Sequence, residues 1–210
     1  MAAEQVKQET DAPLTKFEIN NSTKPKRILL FSGKRKSGKD YITDNLHKRI
    51  GSQRSVIIRL SGPIKTHWAK SLNLDINQLL GHGEYKEKYR LDMVKWGEDM
   101  RKKDYGYFCR AAIDMYDAWN KSVWVISDIR RKTDIKWFME NFGDLCKNIH
   151  IVCSEEVRQK RGWIFTPGID DSETECDLDD VNNWDLLLEN NDNVDTEVLL
   201  QQLLELTGLD

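Results

Sequence analysis

Residues 33–40 read GKRKSGKD, which has the GxxxxGK spacing of a phosphate-binding loop. The loop follows a short apolar run at 27–32 (RILLFS), typical of a buried parallel strand, and precedes a helical pattern at 41–50. In this context the loop N–H groups and the helix N-terminus attract anions, and Lys39 is expected to reach the β- and γ-phosphates of a nucleotide. The predicted nucleotide site consists of Gly33, Lys34, Arg35, Lys36, Ser37, Gly38, Lys39 and Asp40.

The last residue of this loop departs from the common motif. Asp40 stands where most such loops have Ser or Thr, whose hydroxyl ligates Mg²⁺. A carboxylate can also hold Mg²⁺, directly or through water. The preceding cationic side chains would offset its negative charge near phosphates. Asp40 is therefore predicted to be a metal-binding residue of the nucleotide site.

Four more apolar runs alternate with helical patterns after the loop. The runs lie at 55–60, 122–127, 148–153 and 184–188. The helical patterns lie at 63–118 (broken around 81–83 and 104–106), 134–141, 154–162 and 194–206, with a loop at 166–177. This alternation predicts an α/β fold of three layers, with a five-stranded parallel sheet between helices.

The chain length suits one domain, which we predict to span 26–210. Residues 1–25 are polar and lack a period, which predicts a disordered N-terminal arm. Within the domain, the helices of about 63–118 are expected to bind substrate. Residues of about 154–177 are expected to form a lid.

Composition argues against several classes of function. No stretch approaches the ~20 apolar residues of a membrane helix, and the N-terminus lacks the features of a signal or transit peptide. We therefore expect a cytosolic protein without a membrane partner. The four cysteines (Cys109, Cys146, Cys153 and Cys176) form no CxxC pair, which predicts reduced thiols and not a zinc site.

The net charge of −3 is unevenly distributed along the chain. Residues 24–110 carry 21 Lys and Arg against 9 Asp and Glu, whereas residues 155–210 carry 3 against 16. A basic front half can serve nucleic acid or a small anion. The pI of about 5.9 weakens the nucleic-acid alternative, and so does the run 24–39, where Phe31 is the sole aromatic residue.

Features after the third strand favour a kinase over a guanine-nucleotide switch. No NKxD base-reading motif or DxxG switch motif occurs. Asp128 follows the third strand, where a Walker-B carboxylate would lie near Mg²⁺, and Arg130 and Arg131 follow it. Arginines there can clamp a transferring phosphate, although helix-start surface charge is the alternative. The basic run 158–163 fits a lid that closes over ATP, or a solvated helix.

Residues 84–101 combine an apolar and a cationic helix face. Tyr89, Met93 and Trp96 share one face and are predicted to be core. Lys86, Arg90, Gly97 and Arg101 fall on another face, which predicts an anion-binding stripe or, alternatively, a solvated surface. Lys65, just past the second strand, is also expected at the ligand edge of the sheet.

Over about residues 27–206 the chain resembles the animal type of phosphomevalonate kinase. The resemblance rests on blocks in the family's order: FSGKRKSGKD (31–40), RLSGPIK (59–65), EYKEKYRLDMVKWGE (84–98), FCR (108–110), ISDIRR (126–131), DIKWF (134–138), QKRGWIFTPGIDD (159–171) and ENN (189–191). It implies a nucleoside-monophosphate-kinase-like fold and Mg²⁺-dependent phosphoryl transfer from ATP to mevalonate 5-phosphate. The products would be mevalonate 5-diphosphate and ADP, in isoprenoid and sterol-precursor synthesis.

The resemblance also implies roles for individual residues, carried over by position. The implied catalytic residues are Lys36, Lys39, Asp40 and Arg130, and the implied ATP contacts beyond the loop are Arg161 and Asn191. The candidates for substrate binding are Lys65, Lys86, Arg90, Arg101, Arg110, Arg130, Arg131 and Asn190. We expect a monomer that acts on this small molecule and not on nucleic acid. A nucleoside-monophosphate kinase on the same fold remains the rival enzyme.

Overall fold

Five parallel strands form the centre of the molecule. In the computed structural model, which describes residues 24–81 and 84–209 apart from the side chains of Glu84 and Lys86, the strands are β1 (Arg27–Ser32), β2 (Ser55–Ile58), β3 (Val123–Ile126), β4 (Cys146–Val152) and β5 (Leu186–Glu189). Their order across the sheet is β2-β3-β1-β4-β5, and every neighbouring pair is parallel. The predicted α/β fold with a five-stranded parallel sheet is confirmed.

Helices connect the strands. They are α1 (Lys39–Ile50), α2 (Ser61–Leu72), α3 (Ile76–Leu80), α4 (Glu84–Lys103), α5 (Tyr107–Met115), α6 (Lys132–Phe142), α7 (Glu155–Lys160), α8 (Glu173–Cys176) and α9 (Thr196–Thr207). None of the helices within the described residues is long and apolar enough to cross a membrane.

The alternation of side chains along β1 explains the three layers. Ile28 and Leu30 point to one face, where they pack with α5 and α6. Leu29 and Phe31 point to the other face, where they pack with α1 and α9. Because successive strand residues face opposite sides, a strand that is apolar throughout can be covered on both faces.

The helical region after β2 has an apolar cluster of its own. Trp68 of α2, Leu79 of α3, Met93 and Trp96 of α4, and Phe108 of α5 are buried together. The predicted core face of α4 is therefore confirmed, with Tyr89 packed against the same cluster. This second cluster lets α2–α5 stand beside the sheet as a unit that can carry functional side chains.

The bounds of the elements differ from the predictions at a few places. β2 ends at Ile58, two residues early, because the N–H groups of Leu60 and Ser61 are taken by Asp128 and not by a neighbouring strand. The predicted loop 166–177 contains the short helix α8. Ser172 precedes α8, and its carbonyl accepts the N–H groups of Glu175 and Cys176.

Two remaining predictions concern the N-terminal arm and the four cysteines. The predicted arm 1–25 lies outside the described part except for Lys24 and Pro25. All four cysteines are free thiols; Cys109 and Cys146 are buried, and burial raises the pKa of Cys146 to about 12. No group of three or more metal-ligating side chains occurs among the described residues.

Candidate active site at the phosphate loop

The loop between β1 and α1 has the backbone bend that its glycines predict. Gly33 and Gly38 have φ values of 142° and 93°, and Lys36 has a φ of 63°. A Cβ on Gly33 would lie 2.6 Å from the carbonyl oxygen of Ile151, so the loop packs too closely on β4 for any side chain there. Gly38 precedes α1 and gives it no side-chain cap, which leaves the first N–H groups of the helix available to an anion.

Lys39 is the buried cation of this loop. Its Nζ donates to the Gly33 carbonyl oxygen at 2.6 Å, so the side chain lies across the loop. Burial, and after it the charge of Arg130, lowers the pKa of Lys39 from 10.5 to about 7, against the opposing charges of Glu175, Asp40 and Asp128. Lys39 and Arg130 are thus near enough for their charges to interact.

Two polar side chains from the end of the chain brace the loop from behind. Asn190, which follows β5, donates from Nδ2 to the Ser37 carbonyl oxygen at 2.8 Å. Arg161, which follows α7, donates to the same oxygen at 3.2 Å. The neighbouring Asn191 accepts the Ser154 N–H at 2.9 Å, which ties β5 to the start of α7. Asn190 and Arg161 therefore contact the loop, whereas Asn191, which is predicted to bind ATP, contacts the backbone after β4.

An acidic segment, residues 170–180, lies against the cations of the loop. Lys34 pairs with Asp179 at 2.5 Å, and Arg35 pairs with Asp170 at 2.9 Å. Sequence reasoning placed no site residue in this segment. The available signal was the charge count: the 16 acidic residues against 3 basic ones in the last quarter of the chain are complementary in charge to the basic first half.

The two arginines after β3 have different surroundings. Arg130 is partly exposed and pairs with Glu175 of the acidic segment. Arg131 is 3% exposed and pairs with Glu98 of α4 at 2.6 Å. The carboxylate of Asp134 accepts the backbone N–H groups of both arginines, and so fixes the backbone from which they project.

Arg101 joins the same buried network from α4. It lies 3.6 Å from Glu98 and 3.5 Å from Asp134, with its guanidinium over the ring of Phe108. Burial raises the pKa of Asp134, and the charge of Arg101 opposes that rise. Glu98 and Asp134 are thus the residues that sequence reasoning missed and that hold two of its candidate arginines in place.

The other substrate-binding candidates lie on the helices α2, α4 and α5. Burial lowers the pKa of Lys65, with Asp128 opposing and Arg59 and Arg90 adding to the effect, so these groups share one electrostatic environment. Arg90 pairs with Glu87 at 2.5 Å, and Arg110 pairs with Asp104 at the start of α5. The side chain of Lys86 lies outside the described part of the chain.

Asp40 and Asp128 are the carboxylates predicted to bind Mg²⁺, and their surroundings show whether they suit this ion. Asp40 is exposed in the first turn of α1, and both Asp40 and Asp128 act on the charge of Lys39. Asp128 also accepts the N–H groups of Leu60 and Ser61 at 2.6 and 3.0 Å. Two carboxylates beside a phosphate loop suit Mg²⁺, which proteins commonly bind through one or two carboxylates and substrate phosphates.

A phosphate loop on the central strand of a parallel sheet, with a buried lysine and an arginine beside it, defines a phosphoryl-transfer enzyme of the P-loop class. The family model described as phosphomevalonate kinase matches residues 31–144. A phosphomevalonate kinase of Drosophila melanogaster is 48% identical over 176 residues, which cover 82% of this chain and 93% of the fly protein. The chain belongs to the phosphomevalonate kinase family, and it is therefore an ATP-dependent phosphotransferase.

Proposed function

We propose that this kinase transfers the γ-phosphoryl group of ATP to mevalonate 5-phosphate, giving mevalonate 5-diphosphate and ADP. The observation that carries the proposal is that Arg130 lines one cleft with Gly33 and Lys34 of the phosphate loop, in a chain of this family. The reaction would serve the synthesis of isoprenoid and sterol precursors. The protein would act in the cytosol as a monomer on this small molecule, without a nucleic-acid or membrane partner.

The proposed acceptor explains why a cationic site without a strong general base is enough. The attacking oxygen belongs to a phosphate that is ionised near neutral pH, so no proton has to be removed first. Catalysis then rests on positioning and on neutralising charge. Lys39 would hold the β- and γ-phosphates, and Arg130 would lie beside the transferring group. Lys36 is exposed on the loop and would reach the phosphates from the solvent side.

The remaining residues of the predicted site are assigned as follows. ATP would be held by Gly33, Lys34, Arg35, Lys36, Ser37, Gly38, Lys39, Asp40, Arg161 and Asn191. The acceptor would be held by Lys65, Lys86, Arg90, Arg101, Arg110, Arg130, Arg131 and Asn190. Asp40 and Asp128 would hold Mg²⁺, which when bound would neutralise phosphate charge. Within the lid segment 154–177, the basic run 158–163 would close over ATP and exclude water, so that the phosphoryl group goes to the acceptor and not to hydrolysis.

The proposal is tested by measuring ADP release with mevalonate 5-phosphate and, separately, with nucleoside monophosphates. We expect turnover with the first acceptor only. Lys39→Met and Arg130→Met should each lower kcat at least ~100-fold with the fold intact, because each removes a charge that the transition state uses. Lys48→Met, on the exposed last turn of α1, is the matched control and should turn over normally. Turnover with nucleoside monophosphates alone, or near-normal turnover in both test variants, would refute the proposal.

A further inference from the structure

The acidic segment 170–180 supplies a carboxylate to each of three cations around the phosphate loop. Asp179 forms an ion pair with Lys34, Asp170 with Arg35, and Glu175 with Arg130. The backbone of the segment takes part as well, since Lys34 also donates to the Glu175 carbonyl oxygen at 2.7 Å. The segment thus places anionic oxygens against the same cations that a bound polyphosphate would need.

Glu175 is a buried acid of the segment, as is Asp170, which pairs with Arg35. The side chain of Glu175 is 6% exposed and that of Asp170 is 5% exposed, whereas that of Asp179 is 52% exposed and that of Asp180 is 72% exposed. Glu175 lines the cleft beside Gly33, Lys34 and Arg130, and its charge is the foremost of those that oppose the lowering of the pKa of Lys39. A buried carboxylate in this place is stable only because cations surround it.

The two carboxylate oxygens of Glu175 are used unequally. One oxygen accepts from Arg130, while the other is buried and has no hydrogen-bond partner among the described residues. Glu175 is thus held in the cleft by its ion pair with Arg130 and not by a full set of hydrogen bonds.

We propose that Glu175 is a placeholder for the γ-phosphate: its carboxylate neutralises Arg130 and Lys39 until a nucleotide binds and displaces it. The inference rests on the proposed function for the place of the γ-phosphate. Because phosphate and carboxylate compete for the same two cations, each weakens the binding of the other by the same factor. Glu175 therefore lowers the affinity for ATP while it stabilises the nucleotide-free enzyme.

Glu175→Gln removes the charge and nearly keeps the shape, and Asp180→Asn is its matched control. Asp180 belongs to the same segment but pairs with Lys132, away from the loop. Isothermal titration with inorganic tripolyphosphate should give a Kd about 10-fold lower in the Glu175 variant, as for a typical coupling between competing sites. The control should differ from wild type by less than about 2-fold. A Kd in Glu175→Gln that is unchanged or higher would overturn the placeholder.

Wild-type protein gives a second measurement that needs no variant. Hydrogen exchange at the backbone amides of 170–180 should become faster when tripolyphosphate binds, because the segment loses its hold on Arg130. Equal or slower exchange would contradict displacement. Neither measurement uses the acceptor, so the two proposals can fail separately. If both measurements give the expected result but the protein does not phosphorylate mevalonate 5-phosphate, the proposed function is refuted and the role of Glu175 is still supported.

Discussion

The low pKa of Lys39 predicts how ATP binding depends on pH. Burial and the charge of Arg130 lower this pKa from 10.5 to about 7. Phosphate oxygens beside the amine would favour its charged form and raise the pKa again. The complex therefore holds a proton that the free enzyme loses above pH 7. Binding takes up this proton, and so the affinity must fall as the pH rises.

The size of the effect follows from the fraction of Lys39 that is charged before binding. With a pKa of about 7, that fraction is about one quarter at pH 7.5 and about one hundredth at pH 9. The Kd for ATP should therefore rise about 20-fold over this interval if the bound lysine stays charged. Phosphate groups of ATP are fully ionised here, since their second pKa is near 6. Burial also lowers the pKa of His150 below its ordinary value, so this side chain does not change its charge over the same pH interval.

The assay is equilibrium titration of Mg·ATP at constant ionic strength across this pH range, without acceptor. Lys39→Arg is the control, because arginine keeps its charge at every pH in the series. Its affinity for ATP should be independent of pH, whatever its absolute value. A wild-type Kd that is the same at pH 7.5 and pH 9, or an equal slope in both proteins, would show that the charge of Lys39 is not coupled to ATP binding.

Two further predictions separate loop support from substrate binding. Asn190→Ala should raise the KM for ATP about 10-fold, in addition to its effect on the acceptor, because the Ser37 carbonyl loses the Asn190 donor and keeps that of Arg161; an unchanged KM for ATP would show that the loop does not need this hydrogen bond. Glu98→Gln should raise the acceptor KM with the ATP KM unchanged, and should lower stability by about 2 kcal/mol, because Arg131 loses the nearer of its charged partners, Glu98 and Glu173. Denaturant unfolding and steady-state kinetics measure both effects, and an unaltered acceptor KM in Glu98→Gln would mean that Glu98 is merely structural.

Most of the fold could be predicted because its signals are local. The strand at 27–32 has its predicted bounds, and each end of the other four strands lies within two residues of its prediction. An apolar run that is buried on both faces, ended by a glycine-rich turn, leaves the backbone few alternatives. The end of β2 was wrong since it depends on Asp128, 68 residues away, which takes the Leu60 N–H.

The candidate site was predictable only in part. The loop itself and the nearness of Lys39 to Arg130 follow from the rule that the carboxyl ends of parallel strands meet at one edge. The partners of the cations do not follow from any local pattern. Arg131 contacts Glu98, which is 33 residues away in the sequence. Arg130 contacts Glu175 at a sequence separation of 45 residues, and Lys34 contacts the backbone of Glu175 at a separation of 141.

By itself, the sequence determined that a phosphate loop joins a buried strand to a helix in a parallel α/β sheet, because dihedral preferences and hydrophobic periodicity act over a few neighbouring residues. Only the tertiary structure decided which carboxylates face the loop's cations, and how deeply each of these groups is buried. Charge interactions depend on distance in space and on the exclusion of water. Both are set by the path of the whole chain, which brings the acidic end of this protein onto its basic beginning.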